Sequence, residues 1–185
     1  LMRPPQIADV EQYLFPVIDA AKQAGVELIS FLSLMGIEDS KWAPHYAVEK
    51  YLENCGVPYI FIRPSFYMQN LSGTHARDIC EQDEILLPSG RGRNSFIDVR
   101  DIGAVTAKTL VEPGHENQAY TLTGSEALSY AQAAKIFTAV LGREIRYNQP
   151  SPIRFHRHMV RKHKVPSQFV WVMQVLYLTV RLNKG

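Results

Sequence analysis

The densest run of reactive side chains in this sequence is Pro44-His45-Tyr46-Ala47-Val48-Glu49-Lys50. Tyr46 and Lys50 stand four residues apart, which puts them on one face if the run is helical. An ammonium beside a phenol favours the phenolate, so such a pair could move a proton to or from a carbonyl or alcohol. The competing reading is an exposed Tyr–Lys pair on a helix surface, and a four-residue pattern does not separate the two. His45 and Glu49 have the same spacing. They offer either a hydrogen-bonded pair beside a ligand or, for His45, an ordinary first-turn residue. Ser33 closes an apolar run just upstream and adds a hydroxyl donor.

A second group lies in Arg63-Pro64-Ser65-Phe66-Tyr67-Met68-Gln69-Asn70. Pro64 fixes the local backbone, Phe66 and Tyr67 present flat apolar surface, and Gln69 and Asn70 present amides. That is a wall suited to a planar ring carrying an amide. Gly90-Arg91-Gly92 has two of the three glycines of a dinucleotide-binding turn, but no third glycine or helix pattern follows. It reads as a loop, and the segment by itself has no helix N-terminus prepared for a pyrophosphate. The tract 154–164 holds five Lys/Arg and the histidines 156, 158 and 163. It could touch phosphates, but with no reader motif it reads as a solvated helix face. Its histidines lack a recognisable zinc-ligand spacing, so no metal is expected.

These residues need elements to hold them. Residues 9–24 predict an amphipathic helix, with Val10, Leu14, Val17, Ile18 and Ala21 in period, Asp9 and Gln12 as a capping pair, and Gly25 as the stop. Residues 26–33 predict a strand covered on both faces. Pro44 starts a helix over 44–54, and Gly56 precedes a strand from Val57 to Arg63 that Pro64 should stop. Further on, 85–87 and 95–99 read as short strands, 101–111 as a helix and 119–123 as a strand. Ser129 caps a helix that Gly142 ends, and 144–147 reads as one more short strand. Helices alternating with strands over short connections give an α/β, doubly wound parallel sheet. In such sheets ligands bind at the carboxyl ends of the strands, which points to Ser33 and to the residues after Arg63.

The bulk numbers fit that class. The chain has 185 residues, 46% of them hydrophobic, and a formal charge of +2. This is enough for one core and too little charge to imply a nucleic-acid partner. Cys55 and Cys80 give no disulfide framework. The apolar run 169–180 is short of the roughly 20 residues a bilayer requires and reads as a packed helix. No targeting segment is visible, and a cytoplasmic location is expected. A start at Leu1 rather than methionine is what a cut chain would give.

At these residues the sequence resembles the NmrA-like branch of the atypical short-chain dehydrogenase/reductase superfamily. The matching stretches are Arg3-Pro4-Pro5, the helix 9–24, Gly25-Val26 with the strand ending at Ser33, Pro44-His45-Tyr46 with Glu49-Lys50-Tyr51-Leu52, Gly56-Val57-Pro58-Tyr59, and Ile62 through Leu71. They continue in Phe96-Ile97-Asp98-Val99-Arg100-Asp101-Ile102-Gly103, Leu122-Thr123-Gly124, Leu128-Ser129-Tyr130 and Leu141-Gly142-Arg143. The resemblance covers residues 3–147. It implies a Rossmann-like domain of which 1–185 is the C-terminal part, with the Rossmann portion mainly over 1–111 and a substrate-side portion interleaved from 64 onward. Leu1–Arg3 would be the end of a fourth strand, with the glycine-rich half upstream and missing.

The resemblance also implies NADP or NAD bound by the full-length protein, and a small-molecule substrate. Two activities follow from it: an NAD(P)H-dependent oxidoreductase passing hydride to a quinone-like or other small electrophile, or a redox-sensing regulator acting through protein partners without turnover. In the wider superfamily a catalytic lysine precedes a helix glutamate by four residues. Glu49 resembles that glutamate, which puts His45 at the lysine position and Lys41 at the tyrosine position, and makes the Tyr46/Lys50 spacing a coincidence. Ser33, Pro64, Ser65 and Phe66 match positions on the nicotinamide side of the cofactor. His45 would orient cofactor or substrate, or donate a proton weakly, while Tyr67 and Asn70 would face substrate.

Overall fold

Glycine and proline set many of the element boundaries. The computed structural model describes residues 1–4 and 7–182. Pro5 of the Arg3-Pro4-Pro5 stretch, Gln6 and the last three residues lie outside the described residues. Asp9 caps α1 (Val10–Tyr13), its carboxylate accepting from the Gln12 amide at 2.9 Å. The single helix expected over 9–24 is two helices, because Pro16 restarts the run as α2 (Phe15–Gln23) after a break at Leu14. Proline supplies no N–H for a continuous ladder but suits a first turn. The strand β1 (Ile29–Leu32) is shorter than the 26–33 expected, leaving Val26 exposed.

A short 3-10 turn (Ile37–Asp39) leads to α3 (Pro44–Cys55), which ends on Gly56 at φ 83°, a left-handed position that glycine takes without strain. Then come β2 (Tyr59–Pro64), α4 (Gln69–Ser72), α5 (Ala76–Gln82), β3 (Glu84–Leu86) and β4 (Arg93–Asn94). No strand covers 95–99. Asp98 is the N-cap of α6 (Val99–Val111), accepting from the Arg100 amide at 2.8 Å. After β5 (Gln118–Leu122) and β6 (Leu128–Ser129), a reciprocal capping box of Ser129 and Gln132 starts α7 (Tyr130–Leu141). The chain ends with β7 (Arg146–Asn148), α8 (Pro152–Arg161) and α9 (Ser167–Arg181).

These elements form two compact units. The first comprises 1–65 and 97–123. Its sheet has the order β1-β2-β5, every pair parallel, with Leu32 opposite Ile62 and Pro64 opposite Leu122. Met2 adds a parallel bridge to Leu32. Pro64 is the last residue of β2 rather than the stop before it: its carbonyl accepts from the Met35 amide at 3.1 Å. One sheet face carries Ile29, Phe31 and Phe61, packed with Val10, Leu14 and Ile18 of the first two helices and with Val48 and Leu52 of α3. Ile60 and Ile62 alternate to the other face and are also buried, and α6 packs against β2.

The second unit comprises 66–96 and the chain from 124 onward. It holds the parallel pair β3–β7 and the antiparallel pair β4–β6. Tyr130, Phe96, Phe155 and Tyr177 meet largely edge to face in its core. α9 contributes Val170, Tyr177 and Val180 to that core. Among the described residues no helix is long and apolar enough to cross a membrane.

The Gly90-Arg91-Gly92 loop has a packing role. A Cβ at Gly92 would overlap the Val180 carbonyl in the last turn of α9, whereas one at Gly103 on α6 would meet open space. Gly92→Ala should therefore lower the stability of the full-length protein by about 1–3 kcal/mol in urea unfolding. Gly103→Ala should not lower it.

Candidate functional site

Strands of a parallel sheet end with backbone groups that the ladder leaves over, and in this chain they are tied just past the strand ends. The Ser33 amide donates to the Ile62 carbonyl at 2.7 Å, and the Ser65 amide to the Leu122 carbonyl at 2.9 Å. This levels the carboxyl edge of β1, β2 and β5 and buries Ser33, Pro64 and Ser65 along it. The Ser33 hydroxyl has no hydrogen-bond partner among the described residues. An unpaired buried hydroxyl costs about 1–3 kcal/mol.

The buried face of α3 is His45, Val48, Glu49, Leu52 and Cys55. Two polar residues thus face inward, and they do not pair with each other. Glu49 accepts both arms of Arg63, from Nε at 3.0 Å and Nη2 at 2.7 Å. Arg63 also lies 3.4 Å from Glu38. His45 Nε2 accepts from Arg3 Nε at 3.5 Å, a pattern that places the ring proton on Nδ1. The same guanidinium donates to the Ile7 carbonyl. The imidazole lies 5.9 Å from the Phe31 ring, centroid to centroid. Burial, reinforced by the charge of Arg3, pushes its pKa down to about 4, so His45 is neutral at pH 7.

Tyr46 and Lys50 form no such centre. Lys50 is exposed, pairs with Glu53 at 2.6 Å and sits 5.5 Å over the Tyr46 ring. Lys50 is thus the surface residue of the alternative reading, while Tyr46 is half-buried. Lys41 is exposed in the turn before α3.

The remaining expected residues lie in the second unit. Phe66 packs edge-on against Phe96 and Tyr130, at 6.0 and 6.3 Å between centroids. Burial pushes the Tyr67 phenol up. Asn70 is half-buried, and its carbonyl accepts from the His75 amide at 3.1 Å. The basic tract is only partly solvated. Phe155 and Met159 are in the core, and His158 and His163 converge on the buried Asp78 of α5. Asp78 was invisible to the sequence because it lies 80 residues from His158. Arg63 had a weak signal, an arginine closing an otherwise apolar strand, but its partner Glu49 could not be read from that.

A parallel sheet flanked by helices, with polar groups at its carboxyl edge, places the chain among the α/β proteins that bind ligands at that edge. The model of the NmrA-like family matches residues 8–180, and the chain belongs to that family. It is 38% identical over 149 residues to the NAD(P)H azoreductase of Xenophilus azovorans, covering 77% of this chain and 51% of that protein. Among solved structures, the Citrobacter sp. triphenylmethane reductase complexed with NADP(H) superposes with a TM-score of 0.85 at 23% identity, over 100% of this chain and 66% of that one. The NADPH-dependent quinone oxidoreductase QOR2 of Escherichia coli, complexed with NADPH, gives 0.84 at 24% identity over 100% and 65%. This chain therefore spans about half to two thirds of the length of the proteins it matches.

Two outcomes follow from the α3 geometry. Glu49→Ala leaves Arg63 without its bidentate partner and should destabilise the full-length protein by about 3 kcal/mol in urea unfolding. Between pH 6.5 and about 4 the unfolded chain carries a proton on His45 that the folded chain does not, so stability should fall as pH falls through that window. The fall should be shallower in His45→Gln, measured by urea midpoints across the same window.

Proposed function

We propose that this chain is part of an NAD(P)H-dependent oxidoreductase that passes hydride to a quinone-like or other small electrophilic acceptor. The observation that carries the reading is the buried His45, 5.9 Å from the Phe31 ring of β1 and bonded to Arg3, which that burial and the Arg3 charge hold neutral at pH 7. A neutral imidazole is a poor acid at pH 7, so the acceptor has to stabilise its own developing charge. Quinones do this by delocalisation, whereas simple ketones do not. The relatives named for NAD(P)H azo reduction and NADPH-dependent quinone reduction support the same class.

The residues present fit the nicotinamide end of such a cofactor. The Ser33 hydroxyl is buried at a strand end and lacks a partner, which a ligand amide would supply. Pro64 and Ser65 continue that edge, and the family resemblance assigns Phe66 to the same cofactor. A bound NAD(P)H supplies the hydride. His45 positions cofactor or acceptor through its Nδ1 proton, while Arg3 holds the opposite ring nitrogen. The family resemblance assigns Tyr67 and Asn70 to the acceptor, and burial keeps the tyrosine a neutral phenol.

Steady-state assays on the full-length protein test this reading. Quinone-dependent NADPH oxidation is expected, falling by about 10²-fold or more in His45→Ala and Phe66→Ala, as misplacement at a reacting centre does. Tight NADP binding with no turnover across a panel of quinones and azo compounds would overturn it and favour a regulator.

A further inference from the structure

Two histidines five residues apart and a carboxylate 80 residues upstream converge in the second unit, and none of the three has a role in the site proposed above. Asp78 of α5 is fully buried. His158 Nε2 lies 3.0 and 2.9 Å from its two carboxylate oxygens, and His163 Nε2 lies 3.0 Å from Oδ1. The two imidazole Nε2 atoms are themselves 3.1 Å apart. All three ligand atoms thus face one point.

Hydrogen bonding alone satisfies this arrangement poorly. If both imidazoles donate to Asp78, two N–H groups confront each other at the 3.1 Å contact. If one nitrogen is unprotonated, it turns a lone pair toward the carboxylate. A single divalent cation uses all three lone pairs at once. The spacing suits one: ligand atoms about 2.0–2.1 Å from a tetrahedral zinc are about 3.3 Å from one another. The observed contacts are a few tenths shorter, and a cation about 1 Å out of the ligand plane would leave a fourth position for water.

We infer that Asp78, His158 and His163 form a binding site for a divalent transition metal, with zinc the best fit to two imidazoles and one carboxylate. This departs from the expectation of no metal, which the histidine spacing alone had given. The site joins α5 to the end of α8 and the turn behind it, and Arg77 Nη1 strengthens the same junction by donating to the Lys162 carbonyl at 3.2 Å. Its role is to clamp those elements. Lys162 Nζ lies 3.8 Å from Asp78 Oδ1 and would oppose the cation, but that side chain is 35% exposed and can turn to solvent. Gln82 donates to Asp78 Oδ1 at 3.4 Å and steadies the carboxylate.

The test uses untagged full-length protein, stripped of metal and titrated with Zn²⁺ against a chromophoric chelator. One equivalent should bind with a dissociation constant of about 1 μM or tighter. Affinity should fall at least about tenfold in His163→Gln and in His158→Gln, and stay unchanged in His156→Gln, whose ring pairs with Ser167 instead. Co²⁺ provides a second readout on the unaltered protein should the variants not fold. Intense visible bands of a four- or five-coordinate ion support the site, and the pale spectrum of the hydrated ion overturns it. No saturable zinc binding, or binding that ignores His158 and His163, overturns it as well.

Discussion

A buried carboxylate has to find a cation, and in the first unit that requirement sets the phase of α3. Glu49 has only 2% of its side chain exposed, and its two oxygens are taken by the planar fork of Arg63 at the carboxyl end of β2. A lone buried charge would cost several kcal/mol, whereas a bidentate arginine returns much of that through two charge-assisted hydrogen bonds. Fixing Glu49 fixes the rotation of the helix about its axis. His45, one turn earlier on the same face, is then carried inward toward Phe31, and Tyr46 and Lys50 are carried outward. Burial together with Arg3 lowers the imidazole pKa to about 4. One ion pair thus links a helix pattern to the protonation state of the residue on which the proposed chemistry turns.

How far the sequence could be read follows from the range of the forces involved. Capping is local, so Ser129 with Gly142, and Pro44 at the start of α3, marked their helix ends correctly. Where two local signals compete, the reading failed. Ser95-Phe96-Ile97-Asp98-Val99 reads as a short strand, but the Asp98 carboxylate captures the Arg100 amide and starts α6. Pro16 likewise outweighed the apolar period of 9–24. On α3 the apolar Val48 and Leu52 are buried as a hydrophobic pattern would have them, but so are His45 and Glu49. A hydrophobic pattern cannot see polar residues that are buried because they are paired.

The second unit makes the same point from the other side. Its basic tract reads as a solvated face by composition, yet Phe155 and Met159 anchor it in the core and two of its histidines turn to Asp78. The carboxylate comes from α5, so the cluster exists only once the chain is folded. The glycines of 90–92, which in sequence half-match a phosphate-binding turn, are explained at Gly92 by the close approach of the α9 backbone. In both units, functional and packing signals that look alike in sequence are separated only by what lies opposite them.

In the proposed reaction a neutral, buried His45 serves hydride transfer by position rather than by donating a proton. The decisive experiment is single-turnover oxidation of NADPH by a quinone, followed in the full-length protein from about pH 5 to pH 8. A hydride-transfer rate that is flat across that range is the predicted result. A rate that rises toward acid with an inflection near 6.5, the ordinary histidine value, would contradict it, as would the absence of transfer to any quinone.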